Sequence, residues 1–272
     1  HYFVDIWNHG NGWKRGRPQQ MRAISEDDFT GHRISTVQLG EAVTEISGFL
    51  GHKIDVLGTD ACLMGMVEVA AEVADGVEYF VGSEEVEPAE GWPYHLWMAE
   101  WASHPSLTTP EILKVLTQKY VESYSSNGMV VREVSLSAFD LSKLQPIYDS
   151  LNHLGDALKP SSIATSELFL NAVKSTESFN DWEYIDLGDF SVQLRKVADR
   201  AAMETPLNEL DEAIKEVVVA HEGNGKFAGV TKGISIWAPQ TQSVLSVLAD
   251  RYEQLKFASM TKWLDTLQHL VP

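Results

Sequence analysis

The sequence has almost no cysteine. Cys62 is the single one among 272 residues, so the chain can form no intrachain disulfide and no zinc site built from several thiolates. This composition does not exclude export, because many proteins that bacteria secrete lack disulfides. It leaves Cys62 as a free thiol whose role depends on its surroundings.

Positive charge is also scarce. The chain carries 21 Lys and Arg against 39 Asp and Glu, a formal net charge of −18. Binding to nucleic acid in general and docking on anionic membranes both need a basic surface, so this balance argues against them. No stretch approaches the roughly 18 consecutive apolar residues of a membrane-spanning helix, and we therefore predict no membrane insertion.

The apolar content, 44%, is sufficient for a sizeable core. In the first half, short apolar stretches alternate with segments of helical spacing. The stretches are 2–7, 54–58 and 79–83, and the helical segments are 36–50 and 64–74. This alternation is typical of βαβ units and predicts an α/β fold with a mostly parallel sheet between layers of helices.

The second half of the chain is mainly helical in its pattern. Helices are predicted at 142–159, 161–174, 189–203, 207–221 and 250–270, with a strand at 233–239. No linker rich in Pro, Gly or Ser separates the two halves. We therefore divide the chain into an α/β domain, 1–140, and a mainly helical C-terminal subdomain, 141–272, that packs on it.

Two loops carry chemically useful residues. His9 and Gly10 follow the first apolar strand, and Asp60 and Cys62 follow the second, so both loops lie at the carboxyl edge of the predicted sheet. Histidine and a thiolate can act as base and nucleophile, and the amides of Gly10 and Cys62 could bind an oxyanion. The plain alternatives are an inert buried cysteine, a turn histidine and an Asp60 that caps the next helix.

Two long motifs favour the catalytic alternative. Residues 5–13, DIWNHGNGW, and residues 60–70, DACLMGMVEVA, resemble the histidine and nucleophile motifs of the clostripain family of cysteine peptidases. Segments 82–94, 184–190 and 233–239 are similar to further motifs of that family. The resemblance therefore covers nearly the whole chain.

This resemblance implies a caspase-like three-layer α/β/α sandwich and a cysteine endopeptidase. His9 and Cys62 would be its dyad, a thioester its intermediate, and the Gly10 and Cys62 amides its oxyanion hole. Asp60 would line the S1 pocket, which binds the residue before the scissile bond (P1), and would select Arg or Lys there. Glu90, in the acidic loop after the third strand, is our choice for a second, weaker S1 residue. The implied partners are peptides or proteins with a basic P1 residue.

The segment between the two motifs is rich in basic residues. They are Lys14, Arg15, Arg17, Arg22 and Arg33. One interpretation is a surface patch that balances nearby acidic loops. The other follows from the resemblance, because several family members cut themselves in this segment. Pro18 blocks hydrolysis after Arg17, so the bond between Arg22 and Ala23 is the predicted site of self-cleavage.

One departure from the family pattern concerns the start of the sequence. Family members usually carry a strand and a helix before the histidine strand, and this sequence lacks them. Either they have been removed, or a separate chain supplies the strand, which would pair with an open sheet edge. The resemblance also implies a bacterial protein that is secreted, periplasmic or at the cell surface.

The predicted mechanism requires no cofactor. No HExxH spacing and no EF-hand loop occurs in the sequence. Some relatives use calcium, and the acidic loops at 84–90 and 181–189 could supply oxygen ligands. We assign no metal ligands.

Two other functions stay open at this level. A caspase-like scaffold without catalysis would only bind partners, although both dyad residues are present. Tryptophans with nearby acids are also what a glycoside hydrolase needs. Trp97 and Trp101, however, are four residues apart on a predicted helix, which favours core packing.

Overall fold

The computed structural model describes residues 1–14, 24–27, 29–126, 128, 130–158, 163–197 and 200–272. The strands are β1 (Phe3–Trp7), β2 (Ile24–Glu26), β3 (Arg33–Ile34), β4 (Ile54–Asp60), β5 (Val77–Gly82), β6 (Ser135–Asp140), β7 (Tyr184–Asp186), β8 (Val218–Gly223) and β9 (Ser235–Trp237). The helices are α1 (Thr36–Leu50), α2 (Val67–Val73), α3 (Tyr94–Ser103), α4 (Thr109–Ser123), α5 (Leu144–Leu158), α6 (Ile163–Ser175), α7 (Leu187–Val197), α8 (Arg200–Val217), α9 (Gln242–Tyr252), α10 (Lys256–Met260) and α11 (Trp263–Leu270).

Helix α1 shows how local sequence sets the ends of an element. The Ser35 hydroxyl accepts a hydrogen bond from the Gln38 amide, and the Gln38 side chain accepts one from the Ser35 amide, which completes a capping box. Gly51 ends the helix in the left-handed region, with φ of 75°. The bounds agree with the predicted helix at 36–50.

A five-stranded sheet forms the centre of the molecule, in the order β1-β4-β5-β6-β8. Strands β1, β4 and β5 are parallel, and β6 is antiparallel to both of its neighbours. Four of the five strands therefore run in one direction. Within the described residues β1 pairs with β4 alone, in a register that joins Phe3 to Val56 and Trp7 to Asp60.

Helices cover both faces of this sheet. On one face α3 and α4 bury Trp97, Leu116 and Tyr120 against the strands. On the other, α1, α2 and the C-terminal helices pack on side chains that include Phe80 and Phe139. The predicted three-layer α/β/α sandwich is confirmed. No helix in the described part of the chain is long and apolar enough to cross a membrane.

The C-terminal half differs from the sequence prediction in several places. The helices predicted at 189–203 and 207–221 are α7, which ends at Val197, and α8, which begins at Arg200, and β7 was not predicted. The helix predicted at 207–221 ends at Val217, and β8 begins at Val218, because this β-branched run can pair with β6 and complete the sheet. The helix predicted at 250–270 is three helices, separated where Leu255 and Thr261 adopt extended backbone. The division at residue 140 stays a prediction, and the central sheet contains strands from both sides of it.

A small second sheet, β7 with β9, supports the turn after β4. The Ser235 amide donates a hydrogen bond to the Gly65 carbonyl at 2.9 Å, and Ser235 also forms a parallel bridge with Met66. The C-terminal half therefore holds the turn that carries Cys62.

Candidate active site

The pairing of β1 with β4 brings the two motif loops together. Trp7 lies beside Asp60, and the Asn8 amide donates to the Asp60 carbonyl at 3.3 Å. His9 and Cys62 each follow this pair by two residues, so they project from neighbouring strand ends about 5 Å apart. The His9 side chain is exposed and Cys62 is partly buried.

Gly10 touches the backbone of Cys62 directly. A β-carbon at position 10 would lie 2.3 Å from the Cys62 carbonyl oxygen and 3.0 Å from its nitrogen. On its other side Gly10 bridges Ile24, and the Ser25 amide donates to the His9 carbonyl at 3.1 Å. Gly10 and Ile24 are therefore a non-hydrogen-bonded pair of an antiparallel bridge, and the Gly10 amide makes no hydrogen bond to Ile24.

Cys62 lies on a tight turn rather than at a helix start. The sequence predicts a helix from residue 64, but α2 begins at Val67, so its dipole acts at some distance from the thiol. Leu63 has φ of +62°, an uncommon conformation for a non-glycine residue and one that often marks functional turns. The Leu63 amide donates to the Glu85 carbonyl at 3.1 Å, and the Gly65 amide to the Ser83 carbonyl at 2.7 Å.

The thiol faces the loop that follows β5. The backbone amide of Glu87 points at Cys62 Sγ, with a nitrogen–sulfur distance of 3.3 Å. A hydrogen bond of this kind favours the thiolate over the thiol. The loop after β5 therefore contacts the reactive atom itself.

Asp60 is a buried acceptor and does not cap a helix. It is 2% exposed, and its Oδ2 accepts from the Trp92 amide at 2.8 Å and from the Tyr94 hydroxyl at 2.7 Å. The alternative of an N-cap is wrong, because α2 begins seven residues later, at Val67. Its carboxylate lies instead between β4 and the loop before α3.

Two further acids surround Asp60. The Tyr94 hydroxyl also lies 2.5 Å from Asp5 Oδ2, and Glu87 accepts from Trp92 Nε1 at 3.0 Å. Burial raises the pKa of Glu87 well above its usual range, and the neighbouring Asp60 charge adds to this effect. Burial likewise raises the pKa of Asp5.

Other predicted site residues lie elsewhere. Glu90 is exposed, whereas Glu87 is partly buried and its carboxyl oxygen Oε1 is shielded from solvent. Arg22 and Ala23 lie outside the described residues. The described chain resumes at Ile24, which is 1% exposed and docks on Gly10.

The histidine loop is tied to the C-terminal half through Lys14. Its ammonium lies 2.8 Å from Asp181 and 2.5 Å from Glu183, and it stands over the Tyr184 ring. Lys14 is 7% exposed, so it belongs to the core and not to a basic surface patch.

The acidic loops do not form a metal centre in the described residues. No group of three or more His, Cys, Asp or Glu side chains is arranged there to hold an ion. In the 181–189 loop, Asp181 and Glu183 bind Lys14, and Asp186 accepts from the amides of Lys232 and Gly233. Their oxygens thus have protein partners.

Sequence reasoning missed Asp5, Tyr94 and the anchoring role of Lys14. Asp5 and Tyr94 lie inside segments that carry the family resemblance, which was a usable signal. An acidic residue in a short apolar strand is itself unusual and indicates a partner. Nothing in the sequence indicates that Lys14 pairs with residues about 170 positions away.

A family model matches almost the whole chain. The clostripain family model, Peptidase_C11, covers residues 1–270. No curated protein sequence matches the chain.

Solved structures share the fold. A secreted C11 cysteine protease from Bacteroides thetaiotaomicron, in complex with an irreversible peptide inhibitor, is 19% identical with a TM-score of 0.69, covering 96% of this chain and 72% of that one. An inactive zymogen C11 protease from Parabacteroides distasonis is 18% identical with a TM-score of 0.64, covering 96% and 70%. A clostripain from Bacteroides thetaiotaomicron ATCC 29148, in complex with the peptide inhibitor BTN-VLTK-AOMK, is 16% identical with a TM-score of 0.64, covering 87% and 98%.

Proposed function

The chain belongs to the clostripain family of cysteine peptidases, and from this premise we propose an endopeptidase that uses Cys62 and His9 to cleave after arginine or lysine. The observation that supports the proposal is the register of β1 and β4, which pairs Trp7 with Asp60, together with the close approach of Gly10 to the Cys62 backbone. Family membership selects a peptidase over a glycoside hydrolase.

The proposed reaction has two stages, formation of a thioester on Cys62 and its hydrolysis. The Cys62 thiolate attacks the carbonyl carbon of the scissile bond, and the amides of Gly10 and Cys62 stabilise the oxyanion. His9 donates a proton to the leaving amine, which departs as the thioester forms. His9 then takes a proton from a water molecule, which attacks the thioester; collapse of this intermediate releases the acid product and restores the Cys62 thiolate and the protonated His9. None of these steps calls for a cofactor.

A basic P1 preference is supported by the charge around Asp60. A cationic side chain that enters a partly desolvated pocket needs a carboxylate partner, and Asp60 is a buried carboxylate two residues before the nucleophile. The inhibitor bound to the Bacteroides clostripain is written VLTK and so ends in lysine before its reactive group.

Self-cleavage between Arg22 and Ala23 is a further part of the proposal. It is supported by the docking of Ile24 and Ser25 on the His9 loop, which would hold the new end in place after a cut. A structural neighbour is described as an inactive zymogen. Mass spectrometry of wild type and Cys62→Ala tests this: an identical intact segment in both would exclude self-cleavage.

We extend the proposal to two features of cellular context. Export from a bacterial cell is supported by a structural neighbour that is described as secreted. A separate strand that pairs with β1 is supported by the edge position of β1 in the described sheet.

The decisive experiment is a peptide library that varies P1, run with wild type, Cys62→Ala and Asp60→Asn. We expect wild type to cleave after Arg and Lys, Cys62→Ala to be inactive, and Asp60→Asn to lose the basic preference. Full Arg preference in Asp60→Asn would exclude this S1 assignment. If wild type cleaves nothing and Cys62 does not react with iodoacetamide, the chain is a binding scaffold without catalysis.

A further inference from the structure

Three carboxyl groups form a continuous row beside the thiol. The Tyr94 hydroxyl lies between Asp5 and Asp60, 2.5 Å from one Oδ2 and 2.7 Å from the other. Trp92 joins Asp60 to the Glu87 carboxyl, because its amide donates to Asp60 Oδ2 at 2.8 Å and its Nε1 donates to Glu87 Oε2 at 3.0 Å. The backbone of the same Glu87 touches Cys62 Sγ, so the row ends at the reactive atom.

Proton donors are scarce in this row. The Tyr94 hydroxyl carries one proton and so donates to one carboxylate at a time. Among the described residues, the buried oxygens Asp5 Oδ1 and Glu87 Oε1 have no hydrogen-bond partner, although buried acceptors are normally satisfied. The groups that act most strongly on the pKa values of Asp5 and Glu87 include no lysine or arginine.

Two carboxylates in contact cannot both be ionised in a buried site without a counter-charge. Asp60 and Glu87 therefore share a proton when no ligand is present, in a hydrogen bond between the two carboxyl groups. Glu87 is the group of this pair that keeps the proton, because burial and the adjacent Asp60 charge raise its pKa well above the usual range, while the Trp92 amide donates to Asp60.

Gly91 packs closely against Asp60 on the side of Trp7. A β-carbon on Gly91 would lie 2.6 Å from Asp60 Oδ2 and 3.0 Å from Trp7 Nε1. Trp7 is 65% exposed, so this side of Asp60 leads toward solvent. A side chain at residue 91 would therefore press on Asp60 from the side of Trp7.

We propose that Glu87 is the second specificity-determining carboxylate of the S1 pocket, and that a cationic P1 side chain binds Asp60 and Glu87 by replacing the proton they share. The O–H bond of Glu87 breaks, the proton leaves to solvent, and the guanidinium or ammonium then faces two carboxylates. This inference rests on the proposed cleavage after basic residues and deepens it, since it names Glu87 where the sequence favours Glu90.

The groups that face Glu87 set the direction of the pH dependence. They are Asp60 and Cys62 on the β4 side, Trp92 before α3, and Tyr120 on α4, which feels the Glu87 charge. None of them is a cation. Release of a proton on binding means that affinity for a P1 cation rises with pH, about tenfold per pH unit, until Glu87 ionises in the free protein.

The test uses the product-like acids N-acetyl-arginine and its neutral counterpart N-acetyl-citrulline as competitive inhibitors between pH 5.5 and 8.5. For wild type we expect the inhibition constant of the arginine compound to fall with pH and that of the citrulline compound to stay flat. Glu87→Gln keeps the acceptor for Trp92 Nε1. It should bind the arginine compound about tenfold more weakly at high pH and without the slope.

The matched control is Glu78→Gln, which removes the same charge from an exposed position of β5. Active-site titration with an irreversible peptide inhibitor corrects every variant for misfolded protein. Calorimetry of wild type in two buffers of different ionisation enthalpy counts the released proton without any variant. The inference would be overturned if the wild-type inhibition constant of the arginine compound did not change with pH and no proton were released. It would also be overturned if Glu87→Gln bound the arginine compound as Glu78→Gln does. Failure of wild type to cleave after Arg or Lys at all would instead overturn the proposed function.

Discussion

Gly10 lies so close to Cys62 that a β-carbon on residue 10 would stand 2.3 Å from the Cys62 carbonyl oxygen. Real β-carbons do not approach backbone oxygen so closely, so any side chain at this position must push the two strand ends apart. The proposed oxyanion hole depends on this contact, because one of its donors belongs to each residue.

The first prediction therefore concerns Gly10→Ala. We expect kcat to fall by about 10²–10³-fold, the usual effect of losing one oxyanion donor. Gly48→Ala is the control, since a β-carbon there meets nothing within 4 Å and alanine suits the middle of α1. Hydrolysis of an Arg-ended fluorogenic peptide measures both. A Gly10→Ala enzyme with kcat close to wild type would contradict the oxyanion assignment.

The second prediction concerns the buried ion pairs of Lys14. Lys14→Met leaves Asp181 and Glu183 without their cation, and we expect the free energy of unfolding to drop by about 3–5 kcal/mol. Activity should fall as well, since Lys14 anchors the loop that carries His9. Lys215→Met breaks an exposed pair with Glu212 and should leave the free energy of unfolding nearly unchanged. Urea denaturation compares them, and equal losses would show that Lys14 anchors nothing.

The third prediction removes the hydroxyl between Asp5 and Asp60. Tyr94→Phe takes away the single proton that both carboxylates use, and we expect a loss of about 1–3 kcal/mol in the free energy of unfolding. Tyr2→Phe, at an exposed position, should change it by less than about 0.5 kcal/mol. Thermal unfolding at neutral pH separates the two variants. Similar melting temperatures would mean that the Tyr94 hydroxyl is not needed.

The fourth prediction uses the buried Glu68. Its Oε1 accepts from the Trp237 amide and the Tyr252 hydroxyl, both at 2.9 Å, yet burial raises its pKa to about 7. The folded state thus holds a proton that the unfolded state releases above pH 4.5, so the contribution of Glu68 to stability is full at low pH and is lost as pH rises through 7.

Glu68→Gln should therefore match wild type in stability at pH 5 and exceed it at pH 8, by about 1–2 kcal/mol. Urea midpoints at both pH values measure the difference. Comparison with Glu45→Gln, an exposed change on α1, removes general effects of net charge. A difference that does not grow with pH would show that Glu68 is ionised in the folded protein throughout.

The fold was predictable because its signals are local. Each parallel strand is a short apolar run, and the caps of α1 stand in the sequence as Ser35, Gln38 and Gly51. Strand β8 was not predicted because Val218 and Val219 continue a helical pattern. They form a strand because they pair with β6, which is distant in sequence.

The acid that meets Asp60 could not be chosen from the sequence. The four glutamates at 84–90 cannot be distinguished by residue type, and the conformation of the loop determines which of them lies beside Asp60. Glu87 turns inward to Trp92, whereas Glu90 precedes the left-handed Gly91, with φ of +65°, and faces solvent. Such a difference depends on contacts with α3 and β4, which no local pattern encodes.

Strand β1 has one neighbour in the described sheet and carries His9 at its end, whereas Cys62 follows a strand enclosed on both sides. Edge elements exchange their amide hydrogens through local fraying at a lower free energy than central ones. We therefore expect turnover to fail at a urea concentration at which the circular dichroism of the remaining molecule is still native. Catalysis would then report the opening of a single strand.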